Sequence, residues 1–390
     1  MKKLTKKELA RYARHLSLPE FGIAGQEKLK NTSVLVIGAG GLGSPMLQYL
    51  AAAGIGKIGI VDFDKVDLSN LQRQILYGVD DVGKYKAEVA AQRIRSINPN
   101  VEVDVFLSRF EASNALEIME PYSIIADGTD NFPTRYLVND ACVIQGKINV
   151  HGSIFRFDGQ VSVFNYLNDD GTRGPNYRDL YPEPPPPGTV PNCAEGGVLG
   201  ILPGMIGCIQ ASEVIKIAAQ LGEVLTGKLF VMDVLSMQAR VLKFKSNPES
   251  PKIEELIDYV QFCSGVSAQE NLLETQRTAS QKVQVMKEIT VQELKELRDA
   301  GTTHQLIDVR EPFEFEIAEI GGELIPLADV VHQPEKVKKD CKVILHCRSG
   351  MRSANAIRVL EEHHGFDNLY NLKGGILAWS KEIDSTVEEY

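Results

Sequence analysis

Residues 33–45 of the chain read SVLVIGAGGLGSP. The apolar run Ser33–Ile37 predicts a β-strand, and Pro45 predicts the first turn of the helix that follows it. Glycines fill the turn between the two elements: Gly38, Gly40, Gly41 and Gly43. Their missing side chains would let backbone N–H groups approach a phosphate or a sugar at the positive end of the helix. The stretch therefore favours a nucleotide site over the alternative of a tight turn without a ligand.

The same alternation of strand and helix continues along the chain. Apolar strands are predicted at 57–62, 101–107 and 123–126, and a helix over 84–97 is stopped by Pro99. Strands that alternate with helices form a mainly parallel sheet with helices on both faces. We therefore expect an α/β fold with a Rossmann-like, doubly wound and mainly parallel sheet.

Polar and charged side chains follow these strands, at the edge where open α/β sheets bind ligands. Asp62 ends the second strand, where its carboxylate could accept two ribose hydroxyls. A nicotinamide enzyme needs little cationic charge beyond the glycine turn, whereas a triphosphate with magnesium requires Arg or Lys together with Asp. Candidates for such a site are Asp64, Ser69, Asn70, Leu71, Gln72, Arg73, Lys86, Asp130 and Asn131. We therefore predict ATP with Mg²⁺ as the ligand.

A second constellation lies near the C-terminus. The polar segment 263–285 predicts a linker between a first domain, 1–262, and a smaller α/β domain, 286–390. In the latter, an apolar strand ends at Cys347 and a helix follows the loop Cys347, Arg348, Ser349, Gly350, Met351 and Arg352. The backbone N–H groups of such a loop, the helix N-terminus and two arginines would stabilise a thiolate. A tyrosine phosphatase loop is one residue longer, so the shorter loop favours a sulfurtransferase.

The composition is that of a globular protein with a net charge of −10. That charge argues against nucleic acid and anionic membrane surfaces as partners, although a few local cations can bind one nucleotide. The most apolar stretch, 196–221, is interrupted by glycines and a proline, and so predicts a buried loop and helix rather than a membrane span. Six cysteines without a C-x-x-C pair, and an N-terminus without an apolar core stretch, predict a cytoplasmic protein.

Residues 5–262 resemble the MoeB/ThiF family of ubiquitin-activating-like adenylyltransferases. The similarity rests on the glycine turn and on RYARHLSLPEFGIAGQ at 11–26, DFDKVDLSNLQRQ at 62–74, DGTDNFPTRYLVND at 127–140 and PEPPPPGTVPNCAEGGVLG at 182–200. The resemblance implies that the C-terminal glycine carboxylate of a ubiquitin-like sulfur carrier, ending in Gly-Gly, attacks the α-phosphate of ATP. The resemblance also implies that Gly41 and Asp62 bind the adenosine, that Asn70, Arg73 and Lys86 contact the phosphates, and that Asp130 holds magnesium. It implies a homodimer in which Arg14 reaches the phosphates bound by the neighbouring subunit. Cys193 would form a covalent link to the activated carrier.

Many members of that family hold a structural zinc ion with two C-x-x-C pairs. The corresponding positions here are Asn176, Asp179, Ser250 and Ile253, and none of them offers a thiolate. We therefore expect no zinc site in the first domain.

Residues 285–388 resemble a rhodanese domain through the Cys347 loop, DVRE at 308–311 and LKGGILAW at 372–379. Cys347 would then carry a persulfide, with thiosulfate or a desulfurase as the sulfur donor. The fusion predicts an enzyme that turns a carrier carboxylate into a thiocarboxylate, with the small subunit of molybdopterin synthase as first choice. Alternatives are a carrier of a thiamine, cysteine or tRNA pathway, protein conjugation through a Cys193 thioester, a scaffold or sensor with a degenerate nucleotide site, and a nicotinamide oxidoreductase.

Overall fold

The structure is a computed structural model that describes residues 2–185, 197–263 and 286–389. The chain divides into two compact units, Met1–Leu273 and Glu274–Tyr390. The division falls inside the segment 263–285, for which the sequence predicts a linker. The domain limits at 262 and 286 stay predictions.

The first unit is built on an eight-stranded sheet. Its strands are β1 (Ser33–Ile37), β2 (Lys57–Val61), β3 (Glu102–Phe106), β4 (Ile124–Asp127), β5 (Ile148–Phe155), β6 (Asp158–Phe164), β7 (Lys228–Asp233) and β8 (Gln238–Lys243). In space they follow the order β3-β2-β1-β4-β5-β6-β7-β8. The first five in this order pair in parallel, and the pairs from β5 to β8 are antiparallel. The predicted doubly wound, mainly parallel α/β fold is confirmed, and β6, β7 and β8 add an antiparallel extension to the sheet.

Helices cover both faces of this sheet. They are α1 (Lys6–Arg11), α2 (Ala13–Leu16), α3 (Gly22–Lys30), α4 (Gly43–Ala53), α5 (Lys86–Ile97), α6 (Ala115–Met119), α7 (Phe132–Gln145), α8 (Tyr177–Leu180), α9 (Ile201–Ala219) and α10 (Tyr259–Cys263). Local chemistry explains their ends. Gly54 stops α4 in a left-handed conformation with a φ of 89°. Asn131 caps α7, because its Oδ1 accepts the N–H of Thr134 at 3.0 Å.

Strand β1 shows how both faces of the sheet are buried. Val34 and Val36 pack in a core cluster with residues of α4 and α5. Leu35 and Ile37 point the other way, into a cluster with residues of α6 and α7. Because side chains alternate along a strand, a continuous apolar run such as SVLVI fills two cores at once.

Helix α9 begins at Ile201, within the most apolar stretch of the sequence. Pro203 is tolerated because it lies in the first turn, where N–H groups have no acceptor within the helix. Gly207 allows a close approach to the start of α4, since a Cβ there would lie 2.3 Å from the backbone oxygen of Leu42. Among the described residues, only α9 is long and apolar enough to cross a membrane. It packs against α3, α4, β5 and β6, as the core helix of a globular unit does.

The second unit contains a five-stranded sheet in which all pairs are parallel. Its strands are β9 (Glu288–Ile289), β10 (His304–Asp308), β11 (Glu323–Leu324), β12 (Lys342–His346) and β13 (Leu369–Leu372), in the order β11-β10-β12-β13-β9. Its helices are α11 (Val291–Asp299), α12 (Pro312–Ile317), α13 (Leu327–His332), α14 (Met351–His364) and α15 (Gly375–Glu382). On β12, Val343 and Leu345 pack with α14, and Ile344 packs on the opposite face with Trp379 of α15. The predicted smaller α/β domain is confirmed.

Candidate active sites

A cavity of about 910 Å³ opens at the carboxyl ends of β1 and β4. The strand order reverses between these two strands, which is where open α/β sheets bind ligands. The predicted residues that line it are Gly38, Gly40, Gly41, Asp62, Asp64, Arg73, Lys86, Asp130 and Asn131. The predicted residues outside the lining are Arg14, Gly43, Ser69, Asn70, Leu71 and Gln72. The structure thus gathers the glycine turn, two cations and three carboxylates around one space.

The glycines of the turn serve two different purposes. Gly38 has a φ of +90°, and its N–H donates to the backbone oxygen of Val61 at 2.9 Å. A Cβ on Gly43 would lie 2.0 Å from the backbone oxygen of Gly38, so Gly43 is required by the turn itself. Gly43 is not part of the cavity lining, and its predicted contact with the ligand stays a prediction. Gly40 and Gly41 are left to face the cavity.

Asp62 braces the turn as well as facing the cavity. Its Oδ2 accepts the N–H of Ala39 at 2.8 Å, and its Oδ1 accepts the N–H of Asp64 at 2.8 Å. Burial raises the pKa of Asp62, and the nearby charge of Lys86 opposes that rise. Since each carboxylate oxygen has two lone pairs, the side chain retains capacity for ribose hydroxyls.

The two predicted phosphate-binding cations are held differently. Lys86 at the start of α5 is almost fully buried, and its Nζ lies 3.1 Å from Asp64 Oδ2. Arg73 donates from Nη1 to the backbone oxygen of Ser69 at 3.2 Å. Arg14 lies exposed on α2 and does not line the cavity, so the structure does not bring it to the site.

A third cation of the cavity was missed in the sequence. Arg109 lies in the loop after β3, and its guanidinium stacks over the ring of Phe63 at 4.2 Å. Residues 256–260, from the end of the first unit, form another part of the wall. The signal for Arg109 was its place directly after a predicted strand, but 256–260 carry no comparable signal.

A buried pair behind the cavity was also missed. Asp127, the last residue of β4, accepts from His151 Nδ1 at 2.9 Å and from the N–H of Thr129 at 3.0 Å. Burial favours the neutral carboxyl, but His151 and Thr129 together hold the pKa of Asp127 below its ordinary value. Burial also lowers the pKa of His151, so that a neutral imidazole donates to an ionised carboxylate. The pair fixes the backbone that leads to the exposed Asp130.

The Cys347 loop has the predicted geometry. Cys347 follows β12 directly and is almost fully buried. Gly350, with a φ of +97°, precedes α14 and donates its N–H to Cys347 Sγ at 3.2 Å. The hydroxyl of Ser353 lies 3.6 Å from the same sulfur and donates to Asn371 Oδ1 at 2.7 Å. The sulfur therefore sits above the N-terminus of α14, while Arg348, Ser349 and Met351 are exposed at the rim.

The positive charge of Arg352 is compensated by a carboxylate. Its Nη1 and Nη2 donate to the two carboxylate oxygens of Glu314, each at 2.6 Å. We had expected Arg352 to add its positive charge to the loop, and this ion pair corrects that expectation. The sequence could not reveal it, since the two residues lie 38 positions apart.

Known proteins match both units. The family model named ThiF family matches residues 12–252. The chain belongs to the ThiF family. A model named rhodanese-like domain matches residues 290–382, so both resemblances inferred from the sequence are confirmed.

Similar proteins extend over nearly the whole of this ThiF-family chain. Probable adenylyltransferase/sulfurtransferase MoeZ of Mycobacterium tuberculosis is 49% identical over 391 residues, which is 99% of this chain and 96% of the relative. Sulfur carrier protein adenylyltransferase of Thermus thermophilus is 50% identical over 265 residues, 66% of this chain and 98% of the relative. The crystal structure of PaaA has a TM-score of 0.53 at 24% identity over 63% of this chain and 76% of that chain, and it shows the fold alone. The chain is an ATP-using adenylyltransferase and a sulfurtransferase.

Three of the four positions that correspond to the zinc ligands of many ThiF-family members, Asn176, Asp179 and Ser250, are linked here by hydrogen bonds. Asp179 Oδ1 accepts from Ser250 Oγ at 2.8 Å and from the N–H of Asn247 at 2.8 Å. The N–H of Asn176 donates to Asp179 Oδ2 at 2.7 Å. Within the part of the chain that the structure describes, no three His, Cys, Asp or Glu side chains are grouped to hold a metal ion. The hydrogen bonds tie α8 to the turn at 247–250, as a metal would.

Cys193 lies in 186–196, outside the described residues, so its role stays a prediction. Burial raises the pKa of Cys142 and Cys208, and it raises the pKa of Cys263 to about 11. Their thiols stay protonated at neutral pH and are weak nucleophiles. Cys142 is buried in the core, whereas Cys208 is only half-buried.

His346, next to Cys347, is expected to make the stability of the second unit depend on pH. Burial lowers its pKa from 6.5 to about 4. Between these values the unfolded chain binds a proton that the folded unit does not bind. The free energy of unfolding is therefore expected to fall by about 3 kcal/mol as the pH drops from 6.5 to 4. Urea unfolding followed through Trp379, the single tryptophan of the chain, would measure this.

The His346→Gln variant should lose this part of the pH dependence, because glutamine does not titrate. His364→Gln changes an exposed histidine of the same unit and should keep the wild-type slope. An unchanged slope in His346→Gln would show that other groups cause the pH dependence.

Proposed function

We propose that this enzyme adenylylates the C-terminal carboxylate of a ubiquitin-like sulfur carrier ending in Gly-Gly and then converts it into a thiocarboxylate. One observation carries the proposal: a single chain holds a cation-lined cavity at a switch point and a cysteine loop at a helix N-terminus. The cavity suits an anionic triphosphate, and the loop suits a nucleophilic sulfur. The name of the Thermus thermophilus relative supports the substrate class.

In the first half-reaction two anions must meet. A carboxylate oxygen attacks the α-phosphorus, and pyrophosphate leaves with the electrons of the broken P–O bond. Lys86 and Arg73 would offset the repulsion between carboxylate and triphosphate and the charge that develops during the attack. Asp130, whose exposed carboxylate lines the cavity, would hold Mg²⁺ together with phosphate oxygens, which is a donor set that this ion prefers. The bound ion would neutralise part of the phosphate charge.

The second half-reaction uses sulfur on Cys347. The terminal sulfur of its persulfide attacks the acyl carbon of the adenylate, AMP leaves, and an acyl disulfide remains on Cys347. The thiol of Cys193 then attacks the Cys347 sulfur, which releases the thiocarboxylate and leaves a disulfide between the two cysteines. A thiol reductant restores both. This cycle fits the reducing cytoplasm in which we propose that the enzyme works.

We also propose a homodimer. Apolar side chains beside Arg73 are exposed, among them Leu68, Ile75 and Val79. Gly200 packs against the backbone of Gln72, which brings the exposed Ile201 into the same region. A second subunit on this surface would cover these side chains, and Arg14 could then serve the cavity of the partner subunit.

Candidate carriers can be tested directly. The enzyme would be incubated with ATP, Mg²⁺, thiosulfate or a persulfide donor, and one carrier at a time, and the carriers weighed by mass spectrometry. We expect one oxygen to be exchanged for sulfur in the small subunit of molybdopterin synthase, and no exchange in the same carrier without its last glycine. If the exchange occurred only in a carrier of a thiamine, cysteine or tRNA pathway, that carrier would be the substrate in place of the molybdopterin synthase subunit. No exchange in any Gly-Gly carrier would contradict the proposal.

A further inference from the structure

The carboxylate of Glu314 lies between the core of the second unit and the Cys347 loop. It is buried, with 5% of the residue exposed, and it accepts two hydrogen bonds of 2.6 Å from Arg352. A bidentate arginine–carboxylate pair is directional and strong, so it fixes the guanidinium in one place. Arg352 belongs to the first turn of α14, the same turn whose N-terminus faces Cys347 Sγ.

Glu314 is held in turn by a buried ion pair. Asp308 and Arg310 are both fully buried, and Arg310 Nε donates to Asp308 Oδ1 at 2.9 Å. The other end of the Arg310 guanidinium donates to the backbone oxygens of Glu314 at 3.2 Å and Ala318 at 2.7 Å. These bonds tie α12 to the end of β10, where Asp308 pairs in register with His346. The strand pair that ends at Cys347 therefore also positions the helix that carries Glu314.

The carboxylate adds a negative charge beside a loop that otherwise presents cationic and N–H groups. Arg348, Ser349 and Met351 are the exposed residues of the loop, so a donor that approaches Cys347 would meet them. In the transfer step the Cys347 thiolate attacks the outer sulfur of the donor, the donor's S–S bond breaks, and the leaving group takes the electron pair. Thiosulfate arrives with two negative charges and releases sulfite, whereas a protein persulfide carries at most one at its sulfur and releases a thiolate. The charge beside the loop therefore acts twice as strongly on thiosulfate.

We infer that Glu314 is a specificity-determining positioning residue, which pairs with Arg352 and thereby favours a protein persulfide over dianionic thiosulfate as the sulfur donor. The inference rests on the proposed role of Cys347 as the sulfur acceptor. It assigns a function to the buried Asp308–Arg310 pair, which anchors the helix of Glu314 and does not touch the sulfur.

The Glu314→Gln variant of the full chain tests this inference with probes of different charge. Peptide mass spectrometry would follow alkylation of Cys347 by neutral iodoacetamide and by anionic iodoacetate, and a cyanide assay would give kcat/KM for thiosulfate. We expect the iodoacetate-to-iodoacetamide rate ratio to rise about threefold and kcat/KM for thiosulfate, relative to the iodoacetamide rate, to rise about tenfold. Taking ratios removes any general change in the reactivity of the thiol. Both effects should shrink at high salt.

Two further variants complete the test. Glu316→Gln makes the same chemical change at an exposed position of the same helix and should leave the charge selectivity near that of the wild type. Glu314→Gln combined with Arg352→Gln removes both charges and should restore most of the wild-type selectivity.

Equal changes for all probes, or none, would overturn the inference and leave Glu314 with a purely structural role. A different result would contradict the proposed function instead. That result is an absence of Cys347-dependent sulfur transfer from both thiosulfate and a protein persulfide, while the alkylation ratio still shifts as expected.

Discussion

Replacing Lys86 with methionine is expected to lower carrier-dependent ATP–pyrophosphate exchange by about a hundredfold to a thousandfold. Lys86 Nζ is buried at the cavity and has Asp64 as a neighbour at 3.1 Å. Methionine keeps most of the volume but removes the charge that offsets two approaching anions. A buried charge such as that of Lys86 acts more strongly than the same charge in bulk solvent. Exchange of labelled pyrophosphate into ATP measures the step without any contribution from sulfur transfer.

Lys84→Met is the matched control for this prediction. Lys84 lies two positions earlier, is exposed, and pairs with Asp81 at 3.4 Å. Its loss should leave the exchange rate within about twofold of wild type, since exposed ion pairs contribute little. A Lys86→Met variant that exchanges at the wild-type rate would show that Lys86 only pairs with Asp64, and the site would need another source of positive charge.

Replacing Cys347 with serine is expected to lower thiocarboxylate formation by about a thousandfold or more, and to leave ATP–pyrophosphate exchange unchanged. Serine fits the space beneath Gly350 and Ser353, but its hydroxyl cannot hold a sulfane sulfur. The adenylate is made in the first unit, so the first half-reaction should persist. Mass spectrometry of the carrier and the exchange assay on the same protein sample would measure the two halves separately.

Cys341→Ser is the control, because Cys341 is the other cysteine in the described part of the second unit and is half-buried. It should form thiocarboxylate at the wild-type rate. Wild-type sulfur transfer in Cys347→Ser would remove the second unit from the proposed reaction. Loss of exchange in that variant would show that the two halves are coupled.

The nucleotide site was largely predictable because its signals are local. A strand that ends in Gly38, a second strand that ends at Asp62 and a third followed by Asp130 must meet at one edge once the strands are parallel. The sheet order places them there. The antiparallel strands β5 and β6 were not expected, and His151 on β5 was therefore missed as the partner of Asp127.

The individual residues predicted for the ligand site differ in where the structure places them. Gly43 and Asn131 match a ligand motif, but Gly43 packs against Gly38, and Asn131 both caps α7 and lines the cavity. Arg14 lies outside the cavity. A motif selects residue types that suit both a ligand and the turn that presents it, so it cannot separate these two uses.

Periodicity, turn residues and strand ends are signals that span only a few positions of the sequence. They were enough to predict the α/β class, the doubly wound sheet, and the cysteine loop that precedes a helix in the second unit. The charge balance around the reacting groups needed the folded chain. Glu314 and Arg352 meet across 38 positions, and Asp127 and His151 across 24. Such pairs form only where the order of strands brings distant segments together, and burial then gives each charge its strength. The sequence therefore specifies which chemical groups are available, and the packed sheets set which of their charges a substrate meets.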